Sequence, residues 1–351
     1  MSHLAKPKVH HPSLRKNALG LTRRDYEGSL STLCAGCGHD SITAAVVQAF
    51  WELEIEPYRV AKLSGIGCSS KTPAYFLREA HGFNSVHGRM PSIATGAGAA
   101  NRDLVLIGVS GDGDSLSIGL GQLCHAMRRN LNLLYLLENN GVYGLTKGQF
   151  SASADPGSKS KKGEVNTMGA IDSALLALNM GATFVARSFS GDKAQLVPII
   201  KAGILHRGFA FVDIISPCVT FNDHEGSTKS YAYTREHQIE VVHADFIPDH
   251  AEITTDYAPG AVQRVRLHDG STISLRKIDE DYDPTDRDRA YSYIRERQRE
   301  GETATGLLYV STDSSDMVDQ NNLVASPIYN LPYEQLCPGS AELEKLQQRF
   351  R

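Results

Sequence analysis

No stretch of the 351 residues approaches the ~18 to 20 consecutive apolar positions that a membrane span requires, and the first residues lack the apolar core of a secretion signal. The expected location is therefore the cytoplasm. Basic residues do not outnumber acidic ones: 36 Lys and Arg face 40 Asp and Glu, for a formal net charge of -4. A clustered basic face of the kind that binds nucleic acid is missing, and neither a nucleic-acid partner nor a membrane is expected. Internal repeats and low-complexity tracts are absent as well. What is present, at 41% hydrophobic residues, is enough chain for one large α/β domain with an appendage, or for two domains.

The most informative stretch runs from Leu104 to Gln149. Leu104 to Val109 is a short apolar run with β-branched residues, read as a strand, and it ends at Ser110-Gly111-Asp112-Gly113-Asp114-Ser115. Two glycines there let the backbone approach a bound group, and the carboxylates suit a hard cation. A helix from about Ile118 to Arg129 follows, then a second strand, Asn132 to Leu137, which stops at Glu138-Asn139-Asn140-Gly141-Val142-Tyr143-Gly144. Strand, helix and strand in this length make a parallel pair, so both polar turns fall on the carboxyl edge of one sheet, where ligands bind. Asp112, Asn140 and a backbone carbonyl just after Asn140 form an all-oxygen set suited to Mg2+ or Ca2+. The implied ligand is a metal-bound diphosphate. A Gly-Asp-Gly turn alone is equally a tight turn with solvated acids; the Asn139-Asn140 pair one unit later is what favours the metal.

Earlier in the chain, residues 1–31 are polar and without periodicity, and are read as an extended arm whose basic cluster is solvated or hugs a subunit. Cys34-Ala35-Gly36-Cys37 then opens an apolar-periodic helix from about Ile42 to Leu53. Two thiols so spaced are a redox pair, half a zinc site or half an iron-sulfur site. Cys68 lies in the glycine-rich turn Ser64 to Lys71, after a strand over Arg59 to Leu63, and Cys218 ends the apolar strand Phe209 to Ile215. These turns bring four thiols to one side of the sheet. Cys124 and Cys337 read as incidental. His87-Gly88 precedes a small-residue helix, where a histidine also serves as a cap; Arg89 beside it is a weaker candidate. After Gln149 a Ser-, Gly- and Lys-rich run is expected to be a long surface loop. Helices at 170–178 and 194–202 and strands at 182–186 and 209–215 continue the βα alternation of a doubly wound, mostly parallel sheet. No role is assigned to His224 or Glu225. From about Phe246 the pattern changes to a hairpin around Asp269-Gly270, a charged helix over Thr285 to Arg299 and a strand from Gly306. The expected division is an arm (1–31), a cofactor-binding α/β domain (32–245) and a C-terminal hairpin and helix extension (246–351).

Gly111 to Gly119 together with Glu138 to Gln149 resemble the thiamine-diphosphate motif of 2-oxoacid:ferredoxin oxidoreductases, in the form their β subunits carry, and the resemblance covers roughly residues 30 to 240. It implies that Asp112, Asn140 and the Val142 carbonyl bind Mg2+, that Gly111, Gly113 and Asp114 line the diphosphate, and that Gly67, Cys68, His87 and Tyr143 belong to the cofactor site. It also implies that Cys34, Cys37, Cys68 and Cys218 ligate a [4Fe-4S] cluster. The family's usual Trp before the first cysteine is Leu33 here, which leaves the ligands in place and changes their packing. The implied reaction is decarboxylation of a 2-oxoacid on the thiamine, with coenzyme A capturing the acyl group and the cluster passing electrons to ferredoxin. Thiamine enzymes also need a glutamate from a pyrimidine-binding domain that this chain lacks, which implies an α subunit and an α2β2 assembly.

The turn Gly144-Leu145-Thr146-Lys147-Gly148-Gln149 is similar to that of 2-oxoglutarate-type members, whereas pyruvate-type relatives carry a smaller sequence. Lys147, with Lys71 as a second candidate and Leu145 beside it, is expected to select a substrate with a distal carboxylate. Three other readings stand beside this one. They are a pyruvate or broad-specificity enzyme, a non-redox thiamine decarboxylase with zinc on the thiols, and a non-catalytic interaction subunit; the intact Asp112, Asn140 and four cysteines speak against the last.

Overall fold

A computed structural model of the chain describes residues 11–146, 148–157, 163–216, 218, 252–267, 272–337 and 339–351. Lys147, His224, Glu225 and the Asp269-Gly270 turn lie outside them. Nine strands form one sheet in the order β2-β1-β3-β4-β8-β7-β11-β10-β9. These are β1 (Val60–Ser64), β2 (His81–Asn84), β3 (Val105–Gly111), β4 (Leu133–Asn139), β7 (Phe184–Phe189), β8 (Phe209–Ile215), β9 (Val262–Arg266), β10 (Thr272–Lys277) and β11 (Thr303–Val310). A separate two-stranded hairpin joins β5 (Val142–Tyr143) to β6 (Gln149–Phe150). From β2 through β7 every pairing is parallel, including the expected β3–β4 pair. The two polar turns therefore share one edge.

The central strands are apolar along their whole length because both faces are covered. Leu133, Tyr135 and Leu137 of β4 pack with α2 (Met90–Ala100), α3 (Leu120–Arg128), α4 (Ser173–Asn179) and α6 (Arg287–Arg299). Leu134 and Leu136 face the other way, onto α1 (Gly38–Glu52) and α5 (Lys193–Leu205). That alternation is the strand period of two expressed as two cores. The C-terminal extension is the expected hairpin and helix, and its strand β11 continues the same sheet by pairing antiparallel with β7. Short helices α7 (Met317–Gln320), α8 (Tyr333–Leu336) and α9 (Ser340–Gln348) close the chain.

Two expectations are corrected by the structure. The arm over residues 11–31 is packed rather than merely extended: Tyr26 is fully buried, its hydroxyl accepts from Asn17 Nδ2 at 3.0 Å, and its carbonyl accepts from Leu77 N–H at 2.7 Å. The segment after Gln149 is not simply a surface loop, because Ser151, Ala154 and Asn166 are buried. Strand β2 had no apolar alternation to reveal it, since all four of its residues are exposed. In addition, the acidic turn runs into a stretch of π-helix, Gly113–Ile118, so α3 starts two residues later than its periodicity implies. Replacing Tyr26 by Ala should cost about 3–5 kcal/mol in urea unfolding, as for other buried aromatics. It should also open residues 11–31 to limited proteolysis. Retained protease resistance would mean that the arm is held by something other than this anchor.

Candidate active site

One cleft at the carboxyl edge gathers the ends of β1, β3 and β4. Its walls are the turn after β1 with Gly67, Cys68 and Ser69, then His87, then Gly111 to Asp114, and across from them Glu138, Asn140 and Val142 to Thr146. Each residue that the sequence nominates for the cofactor therefore lines the same cleft, and so does Leu145.

Asp114 organises three of these segments. Its Oδ1 accepts from the Ile66 N–H at 3.2 Å and the Gly88 N–H at 2.7 Å and also pairs with His87 Nδ1, while its Oδ2 accepts from Ser110 Oγ at 2.6 Å. The His87-Gly88 turn consequently rests on the acidic turn so closely that a Cβ at Gly88, whose φ is +71°, would stand 2.8 Å from the Gly119 backbone. On the other side of the cleft a Cβ at Gly113 would lie 2.5 Å from the Tyr143 ring, whose hydroxyl donates to the Gly113 carbonyl at 3.2 Å. Bare backbone is thus a steric requirement of the turn.

Asp112 is buried, and burial pushes its carboxyl above the usual aspartate range, opposed by the Ser151 and Ser153 hydroxyls. Both hydroxyls converge on Oδ2, Ser153 at 2.7 Å and Ser151 closer still. Asn140 Oδ1 accepts from the Val142 N–H at 3.1 Å, which folds the turn that presents the Val142 carbonyl.

Glu138 forms the floor and was missed in the sequence. It is fully buried and held well above the ordinary glutamate range, chiefly by desolvation with Asp40 adding, against one hydrogen bond from Thr72 Oγ1 at 3.0 Å. Its other oxygen, Oε1, has no hydrogen-bond partner among the described residues. His39, whose pKa burial lowers to about 4, lies 3.6 Å from Glu138 Oε2 and bonds Ser216 Oγ at 2.6 Å. Ser151, Ser153 and His39 were missed as well. The available signal was a charged residue ending the apolar β4 run and two serines directly after β6.

Of the four nominated cysteines, Cys37 and Cys68 lie near enough to Glu138 to feel its charge. The Cys37 N–H donates to the Cys34 carbonyl at 3.0 Å, and Cys37 caps α1. A Cβ at Gly38 would meet Ser216 Oγ at 2.6 Å, so the start of α1 abuts the segment leading to Cys218. Burial raises the Cys37 thiol, with Cys218 and Glu138 adding, and burial likewise raises Cys68, opposed by Lys71 and reinforced by Cys34. Cys68 lines the cleft, whereas Cys34, Cys37, Cys218 and Lys71 do not. Among the described residues no group of three or more His, Cys, Asp or Glu is placed to hold a metal ion, and no helix is long and apolar enough to cross a membrane.

Residues 65–214, which contain all of the cleft lining except His39, match the family described as thiamine pyrophosphate enzyme, C-terminal TPP binding domain. The chain is 42% identical over 208 residues to a 2-oxoacid:ferredoxin oxidoreductase subunit beta of Saccharolobus solfataricus, covering 59% of this chain and 68% of that one. It is 40% identical over 245 residues to the 2-oxoglutarate oxidoreductase subunit KorB of Mycobacterium tuberculosis, covering 67% of this chain and 64% of the relative. A solved structure of 2-oxoglutarate:ferredoxin oxidoreductase from Magnetococcus marinus, with 2-oxoglutarate, coenzyme A and succinyl-CoA bound, superposes with a TM-score of 0.67 at 30% identity. That superposition covers 86% of this chain and 89% of the other.

Because Asp114 accepts from every donor around it, Asp114→Asn turns an amide donor toward at least one of them. Urea unfolding should show a loss of about 1.5–3 kcal/mol, the scale of a hydrogen bond to a charged group. An unchanged midpoint would deny Asp114 its tying role.

Proposed function

Since the chain belongs to the β-subunit family of the 2-oxoacid:ferredoxin oxidoreductases, we propose that it is the thiamine-diphosphate-binding subunit of an enzyme interconverting 2-oxoglutarate, coenzyme A and oxidised ferredoxin with succinyl-CoA, CO2 and reduced ferredoxin. The observation that carries this reading is the convergence of Gly111 to Asp114 with Asn140 to Tyr143 on one cleft too tight for a Cβ at Gly113.

The residues fit the cofactor. Asp112, the Asn140 side chain and the Val142 carbonyl would hold Mg2+, an all-oxygen set that leaves positions for phosphate oxygens. Only one of these three is a carboxylate, so the lack of a larger acidic or thiol group does not count against it. Gly111 and Gly113 let backbone reach the diphosphate, while His87 and Tyr143, with ring centroids 6.3 Å apart, flank the cleft. Bound thiamine diphosphate supplies a thiazolium carbon that adds to a 2-oxo carbonyl and accepts the electron pair left by decarboxylation. Burial pushes the Glu138 carboxyl at the floor of the cleft toward its neutral form.

Cys34, Cys37, Cys68 and Cys218 would ligate a [4Fe-4S] cluster beside the cleft. Cys218 lies near enough to Cys37, and Cys34 to Cys68, to raise each thiol electrostatically, which supports this ligand set. An α subunit supplies the pyrimidine-binding half of the site. The apolar rim it would cover includes Val86, Ile118 and Leu145, which are exposed by 72%, 45% and 49%. Lys147, with Lys71 behind Cys68, selects the distal carboxylate of 2-oxoglutarate.

Asp112→Ala should abolish retention of thiamine diphosphate while leaving fold and iron content intact; full cofactor occupancy would overturn the assignment. Cys218→Ser should lower iron and sulfide content and ferredoxin-linked turnover together, whereas Cys124→Ser should not. A colourless wild-type protein carrying one zinc would refute the cluster. Lys147→Ala should reduce kcat/KM for 2-oxoglutarate about ten- to hundredfold more than for pyruvate, the worth of a charge-assisted hydrogen bond. Equal losses on both substrates would show that this turn does not read the distal carboxylate.

A further inference from the structure

A continuous line of hydrogen bonds runs from the C-terminal extension to the Asp112 carboxylate. Gln298 of α6 donates through Nε2 to Asp172 Oδ2 at 2.7 Å, and Asp172 Oδ1 accepts from Arg187 Nη2 at 2.8 Å. Arg187 Nε donates to Asp213 Oδ2 at 2.7 Å, and Asp213 Oδ1 accepts from Asn139 Nδ2 at 3.1 Å. Asn139 Oδ1 stands 2.9 Å from Ser153 Oγ, which is 2.7 Å from Asp112 Oδ2. Arg187 and Asp213 are buried on adjacent strands, β7 and β8, at the same register as each other.

We infer that Asp213, Asn139 and Ser153 are positioning residues, which carry the orientation fixed by the buried Arg187 pair out to Asp112 and so set the affinity of this site for its cation. The chemistry of the line supports a directional role. Arg187 offers only donors and an ionised Asp213 only acceptors, so the Asn139 amide has one allowed orientation, with Nδ2 on Asp213 and Oδ1 facing Ser153. Ser153 is thereby held between a fixed amide oxygen and Asp112 Oδ2, with Ser151 on its other side at 3.0 Å. Ser153 shares its single hydroxyl proton between the Asn139 amide oxygen and Asp112 Oδ2, while Ser151 donates to the same Oδ2, so the two hydroxyls together bear on one oxygen of Asp112 and restrict the rotation of the carboxylate. Partners of metal-ligating carboxylates govern metal affinity without touching the metal.

The inference rests on Asp112 being a Mg2+ ligand, and the test separates the two ideas. The complex of full-length chain and α subunit is stripped of cofactor with chelator, then reloaded with thiamine diphosphate at increasing Mg2+. Retained cofactor is measured after gel filtration by conversion to fluorescent thiochrome. In Ser153→Ala the Mg2+ concentration at half-saturation should rise about ten- to a hundredfold, the usual cost of losing such a partner. Ser153→Thr, which keeps the hydroxyl, should restore it, and Asn139→Ala should raise it as well. A purely structural role would lower the melting temperature and leave the half-saturation point in place, and that result overturns the inference. Should Asp213→Asn fail to fold, Ser153→Ala and Asn139→Ala decide the matter, since neither removes a member of the buried ion pair. Asp112→Ala runs alongside: unchanged cofactor retention there would strike down the cation assignment itself, whereas lost retention with an unaffected Ser153→Ala would strike down only the positioning role.

Discussion

The Asp114 carboxylate is the interaction on which the site depends, because it ties together the turns of three chain segments on one side chain. The turn after β1, the His87-Gly88 turn before α2 and the end of β3 each place a donor on one of its two oxygens. None of those segments has a hydrophobic reason to converge there; their cores lie beneath the sheet edge. Backbone N–H groups pointing into a cleft would otherwise need water, and an anionic acceptor with several lone pairs satisfies them together. The resulting fit is close enough that Gly65, Gly88 and Gly119 are all pressed against backbone or carboxylate.

Satisfying donors in this way leaves the remaining acids with an electrostatic problem that shapes the rest of the cleft. Asp112 and Glu138 are both buried, and for both the desolvation of the charged form outweighs the hydrogen bonds they receive. A carboxyl whose pKa is raised on folding is stabilising below its unfolded value and loses that contribution as pH rises through the folded one. Near neutral pH the two acids therefore tend to work against folding of the cofactor-free chain. Their situations differ, however. Asp112 has two hydroxyls and shares the cleft with Asn140 and Val142, a set that would suit a divalent cation. Glu138 has Thr72, a neutral histidine and an unpartnered oxygen, surroundings that favour the protonated acid. One edge of the sheet thus holds one carboxyl suited to a cation and another suited to staying neutral.

Much of this arrangement was legible in the sequence, and the reason is that parallel strands concentrate function at their carboxyl ends. An apolar run long enough for a strand and followed by a glycine-acid turn fixes which residues reach that edge, which is why Asp112, Asn140 and Cys68 were found without coordinates. What could not be read belongs to contacts that carry no period. Strand β2 is exposed along its length and has no alternation; Tyr26 is one aromatic in a polar arm. Ser151 and Ser153 sit in a run whose composition is that of a solvated loop, and only the β5–β6 hairpin, which returns the chain across the cleft, places them on Asp112. Glu138 was overlooked because the run before it reads as a strand and the asparagines after it read as ligands, leaving the residue between them with no pattern of its own.

The disposition of positive charge around the cleft completes the argument. Arg187 is fully charged and lies on the strand next but one to β4, yet its guanidinium is consumed by Asp172 and Asp213 on either side. Had it paired with Asp112 directly, the two charges would have neutralised one another in a low-dielectric setting, and a cation would have had to displace a bonded guanidinium to bind. Interposing Asp213, a neutral amide and a neutral hydroxyl transmits orientation without transmitting charge. Asp112 is held in place by groups that carry no positive charge. For a carboxylate proposed to receive a divalent ion, rigidity and the absence of a competing cation both serve binding, and a line of hydrogen bonds ending in a hydroxyl provides the two together.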